Sequence, residues 1–222
     1  MNSRWARPWF AVTAALVAIE LVITCINAAD NTDGHFHSAA ARVFNVFWYF
    51  TIQSNILVGV TCLLLALQLH RTSTVFAVFR LMGIVAISVT FVVFHIALSR
   101  LLDPDGWAAV ANSLQHTIVP IVAVAGWLMF GPRRRTSARV AAWTVLFPIV
   151  YIVATAIRGP LVRDWYPYPF ADVAAHGYLR VILNGIVITL FFWLVAAGAT
   201  WVDRRLPAGS DTSGADAVAN TA

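Results

Sequence analysis

Residues 44–69 read FNVFWYFTIQSNILVGVTCLLLALQL, and what this stretch contains and lacks decides the fold. It has no charged side chain and is longer than the roughly 20 apolar residues that cross ~30 Å of hydrocarbon at a helical rise of ~1.5 Å. Its apolar residues are continuous rather than alternating, so it reads as a helix and not as a strand of a membrane barrel. Five more runs of this kind lie at about 9–27, 79–99, 107–130, 139–157 and 179–201. The chain is therefore expected to be all-α: a polytopic membrane protein whose single domain, residues 1–205, is a six-helix bundle.

Composition points the same way. Of 222 residues 60% are hydrophobic and 11% charged, with a mean hydropathy of +0.76, too little polar surface to cover a soluble domain. No nucleotide-binding glycine pattern, zinc signature or solenoid repeat is present. Residues 206–222 are small and polar, cannot bury a core, and are expected to form a disordered cytoplasmic tail.

Arginine sets the orientation, because the chain contains no lysine. With both termini inside, ten arginines (Arg4, Arg7, Arg71, Arg80, Arg133, Arg134, Arg135, Arg139, Arg204, Arg205) fall on the inner side. Five (Arg42, Arg100, Arg158, Arg163, Arg180) fall outside, which favours an N-in, C-in topology. The net charge of +5 then reports topology rather than nucleic-acid binding, and Arg133 to Arg135 are expected against anionic membrane lipids. Arg4 and Arg7 before the first run, with Ala28 and Ala29 after it, resemble a cleavable signal. Its ~19 apolar residues exceed the usual 7–15 and favour an anchor. Cys25 and Cys62 lie in separate spans with no close cysteine partner, as packing residues do.

Polar residues inside the runs carry the functional signal, since burying them in hydrocarbon is costly. Thr51, Ser54 and Asn55 share one helical face. In the N-in reading Thr51 lies ~10 Å and His116 ~13 Å below the outer edge, with Glu20, His95, Tyr151, Thr155 and Asn184 in the same half. The inner halves, 57–69, 119–130 and 187–201, read as apolar walls. Pro120 deprives the His116 carbonyl of its helical partner and should open the helix there. Asn112, one turn earlier, is placed to fix the imidazole tautomer. The same residues also suit a structural role, bonding back to carbonyls or joining helices.

Phe50-Thr51, His116-Thr117-Ile118-Val119-Pro120 and Tyr168-Pro169-Phe170, in this order and spacing, resemble the androgen-induced and androgen-dependent six-span membrane proteins and their bacterial relatives. The resemblance covers roughly residues 9–201. It implies hydrolysis of fatty-acid esters of hydroxy fatty acids, or similar lipid esters, through an intramembrane threonine and histidine, and carries those roles to Thr51 and His116. It also implies a bacterial inner-membrane location for this branch. The run Gln53-Ser54-Asn55 departs from the animal members beside the expected nucleophile, where it bears on substrate more than on chemistry. In that scheme Ser54, Asn55 or Asn184 donates to the oxyanion, Glu20 and Asn112 orient the base, His95 is supporting or structural, and no cofactor or metal is required.

Weaker signals remain. Asp30, Asp33, His35 and His37 offer metal-ligand types in the first outer loop, but a solvated loop is the reading that accounts for them. Trp165-Tyr166-Pro167-Tyr168-Pro169-Phe170 suits either a rigid cap over the polar chamber or an aromatic belt. His95 and His116 lie at similar depth, so a haem-binding electron carrier is an alternative. A non-enzymatic lipid-binding protein using the same pocket is another.

Overall fold

The computed structural model describes residues 3–32 and 34–206. Apart from Leu206, the tail expected to be disordered lies outside the described residues. Six helices are long and apolar enough to cross a membrane: α1 (Ala6–Asp30), α3 (Phe50–Leu67), the run Thr74–Leu101 containing α4 (Thr74–Val93), the run Gly106–Phe130 containing α5 (Gly106–Ser113) and α6 (Val119–Phe130), α7 (Ala138–Leu161) and α8 (Val173–Arg205). No strand occurs among the described residues. The chain is a multi-pass membrane protein whose lipid-facing sides carry residues such as Ile19, Val60, Val150 and Leu190 in contact with membrane lipid. An even number of crossings puts Ala6 and Arg205 at one end of the bundle, here the terminal end. The connections 31–49, 102–105 and 162–172 lie at the other, the loop end.

The second span differs from the expected 44–69. A separate helix, α2 (Ala39–Val46), is capped by Ser38 Oγ, which accepts from the Ala41 amide at 3.2 Å. A turn through residues 47–49 follows, and α3 starts only at Phe50. Two side chains of α7 hold this break. Tyr151 Oη donates to the Trp48 carbonyl at 3.0 Å, and Arg158 Nη2 donates to Asn45 Oδ1 at 2.9 Å. The Arg158 guanidinium also lies 4.4 Å from the Trp48 ring centroid. Hydropathy cannot reveal such anchoring, so the sequence reads as one run. The consequence is positional: Thr51 enters the first turn of a helix, where backbone N–H groups have no intrahelical acceptor.

Both histidine-bearing segments depart from α geometry. Phe94–Leu98 and Leu114–Ile118 are single π-helical turns, and in the second the Val119 amide reaches back five residues to the Leu114 carbonyl. Pro120, just beyond, has no hydrogen to offer the His116 carbonyl. The wider turn is how the chain accommodates that loss, and such turns recur at functional sites.

Packing then fixes the bundle. The span containing α4 is the most enclosed and divides the interior. Phe10, Val17, Val58, Cys62, Leu65 and Trp127 form one core among α1, α3, α4 and α6, and Leu81, Val85, Val140, Phe192 and Ala196 form a second among α4, α7 and α8. Helices α1 and α3 approach closely at Gly59, where a Cβ would stand 2.8 Å from a Val17 methyl. Gly177, at φ 72° and ψ 160°, breaks α8 into a short lead-in and the span proper. At the loop end the Arg42 guanidinium donates to the carbonyls of Ala28, Ala29, Phe36 and His37, closing the C-terminus of α1. Both cysteines are free, Cys62 buried and Cys25 half-buried.

The terminal-end half is less uniformly apolar than expected. Arg80, counted above among inner loop arginines, is 3% exposed inside the bundle. Its guanidinium lies 5.3 Å from the Phe10 ring centroid and donates to Cys62 Sγ at 3.3 Å. Asp203 is also buried, accepting from the Thr136 hydroxyl at 2.7 Å and from the amides of Arg135 and Thr136. It ties the 131–137 connection to the end of α8. Without Arg80 the arginine asymmetry is nine to five, with the same sign.

Candidate active site

Thr51 and His116 meet although one is the second residue of its span and the other the eleventh, because α2 and the 47–49 turn occupy the space above α3. Thr51 Oγ1 lies 3.3 Å from His116 Nε2, and the two residues are 6% and 8% exposed. The other ring nitrogen, Nδ1, is 3.1 Å from the Asn112 carbonyl oxygen. A carbonyl only accepts, so Nδ1 carries the hydrogen, and in the neutral imidazole Nε2 presents its lone pair to the threonine hydroxyl. The backbone of Asn112 performs the orienting role expected of its side chain. Phe94, from the other π turn, lies flat on the imidazole at 3.9 Å and 14° and fixes the ring plane.

The Thr51 hydroxyl has a second neighbour, Tyr168. The Thr51 amide, an orphan donor of the first turn of α3, donates to Tyr168 Oη at 3.2 Å, and that oxygen is 3.3 Å from Thr51 Oγ1. Having accepted the amide hydrogen, the phenol keeps its own hydrogen for Oγ1. The polarity of the chain is then one-way: Tyr168 O–H to Thr51 O–H to His116 Nε2, with Nδ1–H to the Asn112 carbonyl. Burial pushes the Tyr168 phenol up to about 12, so it is a neutral donor near pH 7. Tyr168 sits between Pro167 and Pro169 in the connection before α8. Tyr49 packs edge-on to it at 5.9 Å and Phe170 stacks on it at 5.1 Å.

The residues expected to donate to an oxyanion are engaged elsewhere. Ser54 Oγ donates to the Thr51 carbonyl at 2.8 Å and meets Thr90 Oγ1 at 3.0 Å. Asn55 Nδ2 donates to the Thr51 carbonyl at 2.8 Å and the Gln115 carbonyl at 3.3 Å. Asn184 Nδ2 donates to the Phe170 carbonyl at 2.8 Å. Ser54 and Asn55 thus grip the Thr51 backbone, and Asn55 joins it to the π turn of His116. Asn184 anchors the segment carrying Tyr168.

Glu20 is fully buried. The hydrogen bonds of His116 go to Thr51 and Asn112 and not to this carboxyl. Gln115 interacts with this carboxyl and gives an amide hydrogen to Thr24 Oγ1. His95 stands apart from the pair, its Nδ1 at 2.8 Å from the Phe91 carbonyl and its Nε2 at 3.3 Å from Thr117 Oγ1. A bis-histidine haem needs both Nε2 lone pairs aimed at one iron, whereas each here faces a different threonine hydroxyl. His35 Nε2 bonds the Val162 carbonyl at 2.8 Å, and among the described residues no three His, Cys, Asp or Glu side chains are grouped to hold a metal. Asp33 lies outside the described residues.

Two cavities adjoin Thr51. A wide chamber of about 710 Å³ at the loop end is lined by Asn27, Asp103, Asn112, Gln115 and His116 among others, and a narrow slot of about 60 Å³ runs between α4, α7 and α8. Thr51, Phe94, Leu98 and Tyr168 line both. The segment Trp165–Phe170 supplies Pro167, Tyr168 and Pro169 to the chamber wall. Trp165 packs against Phe36 and Tyr49, both at 5.6 Å.

Sequence reasoning quoted Tyr168 only as part of a motif and a cap, and overlooked Gln115, Phe94 and Thr90. The two prolines flanking Tyr168 were the available signal, since they stiffen a segment that must hold one phenol in place. Compared with protein-family models, curated proteins and solved structures, the chain matches none.

Proposed function

We propose that this chain is an intramembrane hydrolase of lipid esters, with Thr51 as nucleophile and His116 as base. The observation that carries the reading is the one-way hydrogen-bond chain that leaves an unprotonated Nε2 facing the threonine hydroxyl. A nucleophile in reach of a base, itself oriented by a third group, is the arrangement acyl transfer requires. The family resemblance of Phe50-Thr51, His116 to Pro120 and Tyr168 to Phe170 supports the same roles, with fatty-acid esters of hydroxy fatty acids or similar lipids as the substrate class.

The reaction proceeds in two transfers. Thr51 Oγ1 bonds the ester carbon as its proton passes to His116 Nε2; the bond to the alkoxy oxygen then breaks, and that oxygen takes the proton. Water next bonds the acyl carbon and gives a proton to Nε2. The acyl–threonine bond breaks, Oγ1 recovers a proton from the imidazole, and a carboxylic acid leaves. Tyr168 O–H, freed from Oγ1 as acylation begins, donates to the carbonyl oxygen as it becomes an oxyanion. The N-terminus of α3 adds its dipole at the same place.

The arginine asymmetry and the bacterial branch of the resemblance favour a bacterial inner-membrane protein, N-in and C-in, with the chamber toward the outer leaflet. The test is hydrolysis by the purified full chain: turnover of a long-chain ester is expected, and Thr51→Ala should lose it while remaining folded. Retained turnover in Thr51→Ala rejects the nucleophile. A parent chain that binds lipid esters and hydrolyses none is instead a lipid-binding protein.

A further inference from the structure

An ester carbon bonded to Thr51 carries an acyl chain, an alkoxy group and an oxygen, and the two cavities beside Thr51 must take all three. His116 lines the chamber and not the slot. In the hydrolase reading, on which this inference rests, the alkoxy oxygen takes its proton from His116 Nε2, so the alcohol leaves through the chamber. The slot, about 60 Å³ against about 710 Å³, is too small for a long acyl chain, which therefore lies on the chamber side as well. The carbonyl oxygen is the substituent left for the slot. Tyr168, its donor, stands on the walls of both cavities.

The slot has a polar group of its own that the packing of the bundle does not use. Thr155 is 4% exposed and lines the slot, and its Oγ1 makes no hydrogen bond of bonding length. The hydroxyls of Thr13, Thr24, Thr61 and Ser88 instead donate to the carbonyl four residues earlier at 2.7–2.9 Å, as helical hydroxyls commonly do. The Tyr151 phenol beside Thr155 gives its hydrogen to the Trp48 carbonyl and keeps a lone pair. The other polar groups of the wall are engaged, the Thr90 hydroxyl with Ser54 and the Asn184 amide with the Phe170 carbonyl. A buried hydroxyl with nothing to bond is costly. A water needs roughly 10–15 Å³ of free space and about two to four polar partners; the slot has the space, and the oxygens of Thr155, Tyr151 and Tyr168 are the partners.

We propose that the slot is an oxyanion pocket holding a water on the Thr155 hydroxyl, and that this water gives the carbonyl oxygen a second hydrogen bond beside that of Tyr168. Thr155 O–H donates to the water, and the water donates to the oxygen as it becomes negative, so the two bonds reinforce each other. A bridging water is nearly as good a donor as a direct contact. It is distinct from the water that cleaves the acyl–threonine bond, which His116 activates and which arrives through the chamber. Thr155 acts through the bound water and is a positioning residue.

Thr155→Val exchanges the hydroxyl for a methyl of similar size, and Thr155→Ser keeps it. Both are compared with the purified full chain in lipid nanodiscs by steady-state hydrolysis of a palmitoyl ester and by thermal unfolding. Thr155→Val should lower kcat about tenfold or more with KM within about twofold, and Thr155→Ser should stay within about threefold of the parent. Thr200→Val removes another buried hydroxyl that makes no hydrogen bond, near the terminal end of α8, and should leave kcat within about twofold. A Thr155→Val kcat within about twofold of the parent, a Thr155→Ser loss as large as that of Thr155→Val, or an equal loss in Thr200→Val overturns the proposal. Unfolding reads the site without catalysis. In a dry slot the methyl replaces an unpaired hydroxyl and raises the unfolding temperature, whereas loss of a water-bonded hydroxyl leaves it unchanged or lowers it. A raised unfolding temperature in Thr155→Val therefore also overturns the proposal. A parent inactive on every ester removes the hydrolase reading and the oxyanion role together, whereas an active parent with an equally active Thr155→Val removes this inference alone.

Discussion

Replacing Tyr168 by Phe removes one oxygen and keeps the ring, so it isolates what the phenol does. In the resting site that oxygen accepts the Thr51 amide at 3.2 Å and stands 3.3 Å from Thr51 Oγ1; during acylation it is the donor left for the oxyanion. Losing one such donor typically costs about 10²–10³ in kcat, or about 2.7–4 kcal/mol of transition-state stabilisation. The effect should fall on kcat with KM nearly unchanged, because the interaction forms only as charge develops. The same change leaves a buried amide without an acceptor, at a cost to folding of about 1–3 kcal/mol. A merely structural phenol would show the stability loss without the kcat loss. The assay is steady-state hydrolysis of a long-chain ester by purified parent and variant, with thermal unfolding measured alongside. A folded Tyr168→Phe protein whose kcat stays within about threefold of the parent refutes the oxyanion role.

Three further outcomes are expected. His116→Ala should lower turnover by about 10² or more, the usual share of general-base catalysis, whereas His95→Ala should cost far less because its ring bonds only Phe91 and Thr117; equal mild losses in hydrolysis rate would count against the Thr-His mechanism. Asn55→Ala should lower thermal stability by about 1–3 kcal/mol, since a fully buried amide that joins the Thr51 and Gln115 carbonyls is lost, and an unchanged unfolding temperature would show that this junction contributes nothing. In a background without Cys25 and Cys62, a cysteine at Asp105 should react with an impermeant thiol reagent on intact cells and one at Ser137 only after permeabilisation; the reverse pattern inverts the topology and moves the chamber to the inner leaflet.

Hydropathy alone made six spanning helices legible, because a span needs only length and the absence of charge. Their ends were harder to read. The run 44–69 is continuous in sequence, yet Tyr151 and Arg158, about a hundred residues away, fasten the turn that divides it. Arg80 sits near a span edge and reads as a loop arginine, but Phe10 and Cys62 draw it inside. At the site, Thr51 and His116 were readable as polar residues in hydrocarbon beside a proline, and the structure places them at 3.3 Å. Their partners were not readable. The imidazole is oriented by a backbone carbonyl, which has no sequence signature, and the Thr51 hydroxyl is met by a tyrosine whose approach depends on the path of a loop. Ser54 and Asn55 share a helical stripe with Thr51, which suggested joint action on a ligand, but at spacings of three and four residues they reach the Thr51 carbonyl.

The nucleophile is tested most directly by finding the residue that carries a covalent adduct. Full-length protein in membranes, treated with a long-chain fluorophosphonate and digested, should yield one modified peptide with the phosphonyl group on Thr51 Oγ1, and no modified peptide from Thr51→Ala. An adduct on Ser54, Tyr168 or any other residue, or labelling that persists in Thr51→Ala, would contradict the assignment of Thr51 as the nucleophile.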